Sequence, residues 1–285
     1  ARSDYGHIRR RGIRVESRDG DFDLPEVAVY AQPEDIGPVD LILIGLKTTA
    51  NHVFGRLLPP LFTPDRTALL CLQNGIGNEE QLARIFPDNA IIGGTAFLCS
   101  NRVGPGHIHH TDYGHVHIAA YADFPPDRLT VFADVLNRAH IDCTVIDDYL
   151  EMRWRKQVWN VPFNGLCTLH NQATDALLQI PGESERIERI MHEVITLARA
   201  LHARRSGNRP FHLDYDWIAE QIRRTRTMGA YLPSMLLDRR AGRPIELESI
   251  IGVCLRKRDT EAPEVQLPAI QELYTQLSAT ESGPV

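Results

Sequence analysis

Two polar segments in the second half of the chain hold residue types that can do chemistry. The first contains Lys156, Asn160 and Asn164 among Trp, Val and Phe side chains. The three residues are four positions apart, so on an α-helix they lie along one face and can bind a small polar molecule. An ammonium group in apolar surroundings can also donate a proton, because its pKa shifts readily. The alternative is a lysine on the surface of the helix.

The second segment runs from Ser234 to Glu246, with the sequence Ser-Met-Leu-Leu-Asp-Arg-Arg-Ala-Gly-Arg-Pro-Ile-Glu. Ser234 follows Pro233, so it can cap the N-terminus of a short helix, contact a substrate, or do both. Glu246 either belongs to the same site or forms a surface ion pair with Arg243.

Continuous apolar runs predict the strands that would position further polar residues. Residues 39–46, 68–72 and 90–95 have the pattern of strands buried on both faces, and the stretches 49–60 and 78–86 have helix-like spacing. Strands that alternate with helices predict a parallel α/β sheet.

Lys47 and Asn74 each follow one of these strands directly. Ligands bind at the carboxyl ends of the strands in open parallel sheets, so together these residues indicate a ligand site. Asn74 also begins the sequence Asn-Gly-Ile-Gly, whose glycines let the backbone approach a ligand closely. Taken singly, an ordinary surface lysine and a turn asparagine are the alternatives.

The character of the sequence changes near residue 147. Before it, alternating patterns predict a small β-ribbon within residues 1–30 and antiparallel strands over 104–121. After it, helical periodicity covers residues 148–180, 183–204, 214–228 and 263–278. We therefore predict an α/β protein with an N-terminal Rossmann-type parallel sheet domain at 1–147 and an all-helical domain at 148–285.

A Rossmann domain opens with a strand and a G-x-G-x-x-G turn, and this sequence contains no such motif. We therefore expect a truncated domain that lacks the first strand, the Gly loop and the following helix. Arg2 would then lie at the tip of the second strand, where an arginine accommodates the 2′-phosphate of NADP.

Composition excludes several classes of protein. The chain has 285 residues, 43% of them hydrophobic and 24% charged, and a net charge of −6 without a basic stripe, which predicts a folded protein that does not bind nucleic acid. No apolar run is long enough to span a membrane. The five cysteines, without a CxxC pair, predict reduced thiols and a cytoplasmic location. The helical second half offers room for a homodimer interface.

Five histidines between His107 and His117 resemble a metal cluster at first sight. They alternate along predicted hairpin strands and have no matching set of carboxylates or cysteines. We therefore predict no metal site.

Several of these motifs occur in the same order in the ketopantoate reductase (2-dehydropantoate 2-reductase) family, which the chain resembles over nearly its whole length. The first motif is a strand followed by Lys47. The second is the next strand, which is followed by the Gln-Asn-Gly-x-Gly-x-x-Glu motif that ends at Glu80. A Gly-x-Ile-x-His hairpin begins at Gly106, the Lys-x-x-x-Asn-x-x-x-Asn helix at Lys156, and the Ser-Met-x-x-Asp segment at Ser234.

The resemblance implies a Rossmann domain that binds NADPH, a helical domain, and a small 2-oxo acid substrate between them. The reaction would be reduction of 2-dehydropantoate (ketopantoate) to (R)-pantoate in pantothenate biosynthesis, with Lys156 as the general acid. The residues implied to orient the substrate are Asn74, Asn160, Asn164 and Ser234. Those implied to bind the cofactor are Arg2, Lys47, Asn74 and Glu246.

Two positions depart from the pattern of the pantothenate enzymes. Tyr231 and Ile251 stand where those enzymes often carry asparagine, and both lie in segments expected to face the substrate. A more apolar lining would suit another 2-oxo acid, so a related reductase is one alternative. The other is a catalytically impaired ligand-binding relative, because the Gly loop is absent.

Overall fold

The computed structural model describes residues 3–205 and 210–281. Its strands are β1 (Ile13–Ser17), β2 (Phe22–Leu24), β3 (Leu41–Ile44), β4 (Ala68–Cys71), β5 (Ile91–Gly104), β6 (His107–Ala120) and β7 (Cys143–Val145). Its α-helices are α1 (Tyr5–Arg11), α2 (Phe54–Leu57), α3 (Asn78–Leu82), α4 (Pro126–Arg138), α5 (Tyr149–His170), α6 (Thr174–Leu177), α7 (Glu183–Arg205), α8 (Asp216–Thr227), α9 (Ser234–Arg240), α10 (Val253–Glu261) and α11 (Pro268–Glu281). None of the described helices is long and apolar enough to cross a membrane.

The chain divides into two compact units. The first consists of Ala1–Gly45, His52–Leu72 and Leu82–Asp147. The second consists of Leu46–Asn51, Gln73–Gln81 and Asp148–Val285. The turns that follow β3 and β4 in the chain, which carry Lys47 and Asn74, therefore belong to the helical unit.

A mixed seven-stranded sheet forms the first unit, in the order β2-β1-β6-β5-β4-β3, and β7 also pairs with β6. Strands β3, β4 and β5 are parallel, and β5 and β6 form a long antiparallel hairpin. Leu70 and Ile92 pack with Leu129 of α4 in one apolar cluster of the sheet, and Leu69 packs with Phe54 in another. The predicted α/β class and the strands at these positions are confirmed.

One helical prediction in this half of the chain needs correction, and one helix was missed. The stretch 49–60 is not a regular helix: 3₁₀ turns at Thr48–Val53 and Pro59–Leu61 flank the single α-turn of α2. Consecutive prolines lack the N–H groups that a longer helix would need. Helix α4 was not predicted, although Pro126 in its first turn and apolar residues at helical spacing signal it.

Helix α5 is the element around which the second unit packs. Asp148 caps it by accepting the N–H of Glu151 at 2.8 Å. The helix ends where Asn171 adopts a left-handed backbone with φ of 54°, so the helix predicted over 148–180 is in fact two, α5 and α6. Helices α7, α9 and α11 pack against α5. The predicted helical second part is confirmed.

A π-helical turn at Glu248–Gly252 precedes α10 and was not predicted. Such turns often occur at functional sites. Here the turn contacts both the segment that carries Asn74 and helix α5, as described next.

Candidate active site

Lys156 lies on α5 with a half-buried side chain. Its neighbour Trp154 is 1% exposed, as expected from the aromatic residues of this segment. Burial of the ammonium group, together with the nearby charge of Arg153, lowers the pKa of Lys156 from 10.5 to about 7, against the opposing effect of Glu246. Both protonation states are therefore populated near neutral pH, so Lys156 is not an ordinary surface lysine.

A chain of carboxamides runs along the same helix. Asn164 Nδ2 donates to Asn160 Oδ1 at 3.3 Å, and Asn160 Nδ2 donates to Gln157 Oε1 at 3.5 Å. Gln157 Nε2 donates to the backbone oxygen of Ile250, in the π-helical turn, at 2.9 Å. Asn160 and Asn164 are both buried. The bonds fix the orientation of each carboxamide before any ligand binds.

Ser234 is joined to this chain but does not cap helix α9. The helix begins at Ser234, and Pro233, with φ of −61°, occupies the cap position. Ser234 Oγ donates to Asn164 Oδ1 at 3.4 Å, and the N–H of Met235 donates to the same oxygen at 3.1 Å. The predicted cap role is therefore wrong: proline takes that position, and the Asn164 carboxamide satisfies the start of the helix.

Lys47 and Glu246 form a second polar group in the same unit. Lys47 Nζ lies 3.3 Å from Glu246 Oε2, and Thr48 donates to Glu246 Oε1 from its backbone N–H at 2.9 Å and from its hydroxyl at 3.0 Å. Burial lowers the pKa of Lys47, but the carboxylates of Glu246 and Asp238 outweigh burial and raise it overall. Lys47 therefore stays protonated while its side chain is 45% exposed.

Asp238 belongs to this group and was not predicted as a site residue. Its Oδ2 lies 2.7 Å from Lys47 Nζ, and its Oδ1 accepts from Arg243 Nε at 2.9 Å. The predicted surface ion pair between Arg243 and Glu246 is therefore wrong, because Glu246 is buried and Arg243 pairs with Asp238 instead. Asp238 follows Ser234 by one helical turn, which is a signal available in the sequence.

The turn that carries Asn74 packs against the π-helical turn. Gly75 has φ of 83°, and a Cβ there would come 2.3 Å from the backbone oxygen of Ser249. The close approach predicted for this glycine is therefore to the protein's own backbone. Gly77 has φ of 96°, and among the described residues no atom beyond its chain neighbours would come within 4 Å of a Cβ there, so space lies open beside it. The half-buried Asn74 carboxamide makes no hydrogen bond within the described ranges.

Two predicted features remain, Arg2 and the run of histidines. Arg2 is outside the described residues. His110 Nδ1 bonds to Ser17 Oγ at 2.9 Å, and His115 stacks on Phe97 with ring centres 4.9 Å apart. In the part of the chain that the structure describes, no three His, Cys, Asp or Glu side chains are grouped to hold a metal ion.

The polar side chains of Lys47, Asn74 and Glu246 fit a nicotinamide dinucleotide by their chemistry. A lasting positive charge at Lys47 suits anionic groups, and the Glu246 carboxylate suits ribose hydroxyls. The carboxamide of Asn74 can both donate and accept, and the space beside Gly77 leaves its backbone accessible.

Two family models match the chain, each covering one part of it. The model of ketopantoate reductase PanE/ApbA matches residues 1–123, and that of its C-terminal part matches residues 148–281. The chain belongs to the ketopantoate reductase family. The predicted family and the class of enzyme, an oxidoreductase, are confirmed.

Individual relatives agree with this assignment. A 2-dehydropantoate 2-reductase of Nostoc sp. is 38% identical and aligns over 97% of this chain and 85% of its own length. The crystal structure of 2-dehydropantoate 2-reductase from Geobacter metallireducens is 40% identical, with a TM-score of 0.92, over 98% of this chain and 90% of the other. A D-mandelate dehydrogenase with NADH and anilino(oxo)acetate, 23% identical with a TM-score of 0.82 over 97% of this chain and 87% of its own, shares the fold.

Proposed function

We propose that this chain is an NADP-dependent oxidoreductase that reduces 2-dehydropantoate to (R)-pantoate, with Lys156 as general acid. Family membership and relatives of this name at 38% and 40% identity support the reaction. The observation that carries the role of Lys156 is an ammonium group with a pKa of about 7 on the same helix as two oriented carboxamides.

The mechanism assigns the proton to Lys156. NADPH, when bound, would provide the hydride for the ketone carbon. Lys156 Nζ, in its ammonium form, gives one proton to the ketone oxygen as that oxygen gains negative charge. A pKa lowered to about 7 serves this step, because the ammonium form is available near neutral pH and releases its proton more readily than an ordinary lysine.

Asn160, Asn164, Ser234 and Asn74 orient the substrate in this proposal. The hydrogen bonds from Asn164 to Asn160 and from Ser234 to Asn164 hold these groups in place before the 2-oxo acid arrives. Asn164 Oδ1 is already engaged by the start of α9, and one N–H of its Nδ2 bonds Asn160, so the second N–H is left for a ligand. The Asn74 carboxamide makes no bond of its own within the described ranges, which suits a direct ligand contact.

Lys47, Asn74, Glu246 and Arg2 bind the cofactor in this proposal. Lys47 and Glu246 hold each other, and Thr48 fixes the carboxylate of Glu246 from the other side. The carboxylate keeps lone pairs for a ribose hydroxyl, and Lys47 keeps exposed N–H donors. Arg2 would favour NADP over NAD by binding the 2′-phosphate of NADP.

A related reductase of another 2-oxo acid is the second candidate. Tyr231, which is half-buried, lies 6.0 Å from Trp159 between ring centres, and Trp159 stacks on Phe163 at 5.1 Å. This aromatic group suits a larger apolar substrate side chain. Ile251 does not support the candidate, because it is fully buried in the core; its predicted place facing the substrate is wrong.

The test is NADPH oxidation with ketopantoate against branched and aromatic 2-oxo acids. The protein assayed is this chain preceded by a strand, Gly-rich loop and helix of the kind expected above. The proposal predicts the highest kcat/KM with ketopantoate. A clear preference for an aromatic acid would favour the second candidate, and no turnover of any acid would favour a catalytically impaired ligand-binding relative.

We further propose that the enzyme works in the cytoplasm as a homodimer. Five free, buried cysteines support a reducing compartment. Sedimentation equilibrium tests the dimer, because a mass near that of one chain would exclude it.

A further inference from the structure

Arg153 is a buried cation that bonds residues outside its own helix. Its side chain is 2% exposed and lies on α5, three residues before Lys156. Its Nη1 donates to the backbone oxygen of Gln73 at 2.9 Å, and its Nη2 pairs with the carboxylate of Glu79. The guanidinium therefore joins α5 to the turn that contains Asn74.

Glu79 is fully buried and both of its oxygens are engaged. Arg153 binds one oxygen, and the hydroxyl of Tyr149 donates to the other at 2.7 Å. Burial of charged groups is costly, so this buried ion pair is weak evidence of a role in stability. Its members fix the geometry of whatever they connect.

The turn also forms hydrogen bonds with other loops. Gln73 Nε2 donates to the backbone oxygen of Leu46 and to Asn51 Oδ1, both at 2.8 Å. The N–H of Ile76 donates to Ser249 of the π-helical turn at 3.0 Å. These bonds tie the turn to other loops, whereas Arg153 ties it to the helix of Lys156.

We propose that Arg153 is a positioning residue that holds the Gln73–Asn74 turn against helix α5, on which Lys156 lies. The inference rests on the proposed function, in which Asn74 and Lys156 act on the same 2-oxo acid. A flat guanidinium with several donors suits the task, because it bonds the carbonyl and the carboxylate at once.

Arg155, two residues further on, provides a matched control on the same helix. It bonds Glu151 at 2.8 Å and the backbone oxygen of His212 at 2.9 Å, and its guanidinium lies 4.9 Å from the ring centre of Trp217. It is as long and as charged as Arg153 but has none of the partners at the Asn74 turn.

The charge of Arg153 gives the inference a second consequence. Two charged groups that act on Lys156 are Arg153, on its own helix, and Glu246, in the segment before the π-helical turn. Glu246 is itself paired with Lys47. Because Arg153 lowers the pKa of Lys156, its removal raises that pKa, and the Glu79 carboxylate left behind acts in the same direction. Removal of the Glu79 charge instead acts to lower it.

The first experiment needs neither cofactor nor substrate. The sequence contains three lysines, Lys47, Lys156 and Lys257, so competitive acetylation followed by peptide mass spectrometry reports each one separately. We expect a labelling midpoint for Lys156 near pH 7 in the parent protein, a higher midpoint in Arg153→Met, no rise in Glu79→Gln, and the parent value in Arg155→Met. An unchanged midpoint in a folded Arg153→Met protein would overturn the electrostatic part of the inference.

The second experiment tests positioning in the NADPH-oxidation assay. Arg153→Lys keeps the positive charge but loses the planar guanidinium that bonds two partners at once. We therefore expect the labelling midpoint of Lys156 to be unchanged. We expect kcat/KM to fall about 10- to 100-fold, as for a displaced substrate contact. The double variant Arg153→Met/Glu79→Gln removes both buried charges, so neither is left unpaired and the protein is more certain to fold. We expect its kcat/KM to fall to a similar extent as that of Arg153→Lys. Parent-like kcat/KM in the folded double variant would overturn the positioning role, whereas inactivity of the parent with every 2-oxo acid would overturn the proposed function alone.

Discussion

The ammonium of Lys47 lies 2.7 Å from a carboxylate oxygen of Asp238, a residue that was not predicted from the sequence as part of the site. Asp238 and Glu246 are both buried, so one half-exposed lysine serves two carboxylates. This shared contact joins the turn after β3 to helix α9, and it keeps Lys47 charged.

Replacement of Asp238 tests that relationship. Asp238→Asn removes a charge partner from Lys47 and from Arg243, and we expect it to cost about 1–2 kcal/mol of unfolding free energy in urea. Asp259→Asn is the control, because the pair of Asp259 with Arg258 is exposed and should contribute less than about 0.5 kcal/mol. Equal stability losses in the two variants would contradict the role given to Asp238.

Two glycines of one turn should differ in their tolerance of a side chain. Gly75→Ala forces a Cβ against the backbone of Ser249, so we expect a loss of about 2–3 kcal/mol and a lower Tm. Gly77→Ala should cost about 1 kcal/mol from backbone strain, because no atom of the described residues beyond its chain neighbours would contact the new Cβ. The prediction fails if thermal unfolding ranks the two variants in the opposite order.

The lowered pKa of Lys156 makes stability depend on pH in a definite direction. The folded chain releases this proton at about pH 7, whereas the unfolded chain holds it to about 10.5, so the group destabilises the fold below pH 7. Stability from this group therefore rises between pH 7 and 10.5. We expect Lys156→Met to be more stable than the parent at pH 6, with a difference that shrinks as the pH rises; urea unfolding at several pH values measures it. A constant difference would mean that Lys156 has an ordinary pKa.

The fold was predictable where one pattern dominates. The apolar runs that became β3 and β4 and the helical period that became α7 are strong local signals. Helix α1 gave no such signal, because none of its seven residues is buried and three of them are arginines. The π-helical turn at Glu248–Gly252 depends on tertiary bonds such as that from Gln157 to Ile250, which no local pattern contains.

The site was predictable as a set of residue types and less so as a set of contacts. The spacing of Lys156, Asn160 and Asn164 placed them on one helix face, and the structure joins the two asparagines directly. The partners of Glu246 were not predictable, because Lys47 and Thr48 lie about two hundred positions away in the chain. Distant pairing of this kind is set by the fold and leaves no trace in local sequence.

The central claim is that Lys156 donates the proton. The most direct measurement compares kcat for ketopantoate reduction in the parent, Lys156→Ala and Lys257→Ala proteins, together with NADPH affinity by fluorescence titration. We predict that Lys156→Ala lowers kcat by about 10²- to 10⁴-fold with little change in NADPH affinity, that Lys257→Ala retains parent activity, and that parent activity falls as the pH rises through about 7. Comparable kcat in Lys156→Ala would remove Lys156 from the mechanism.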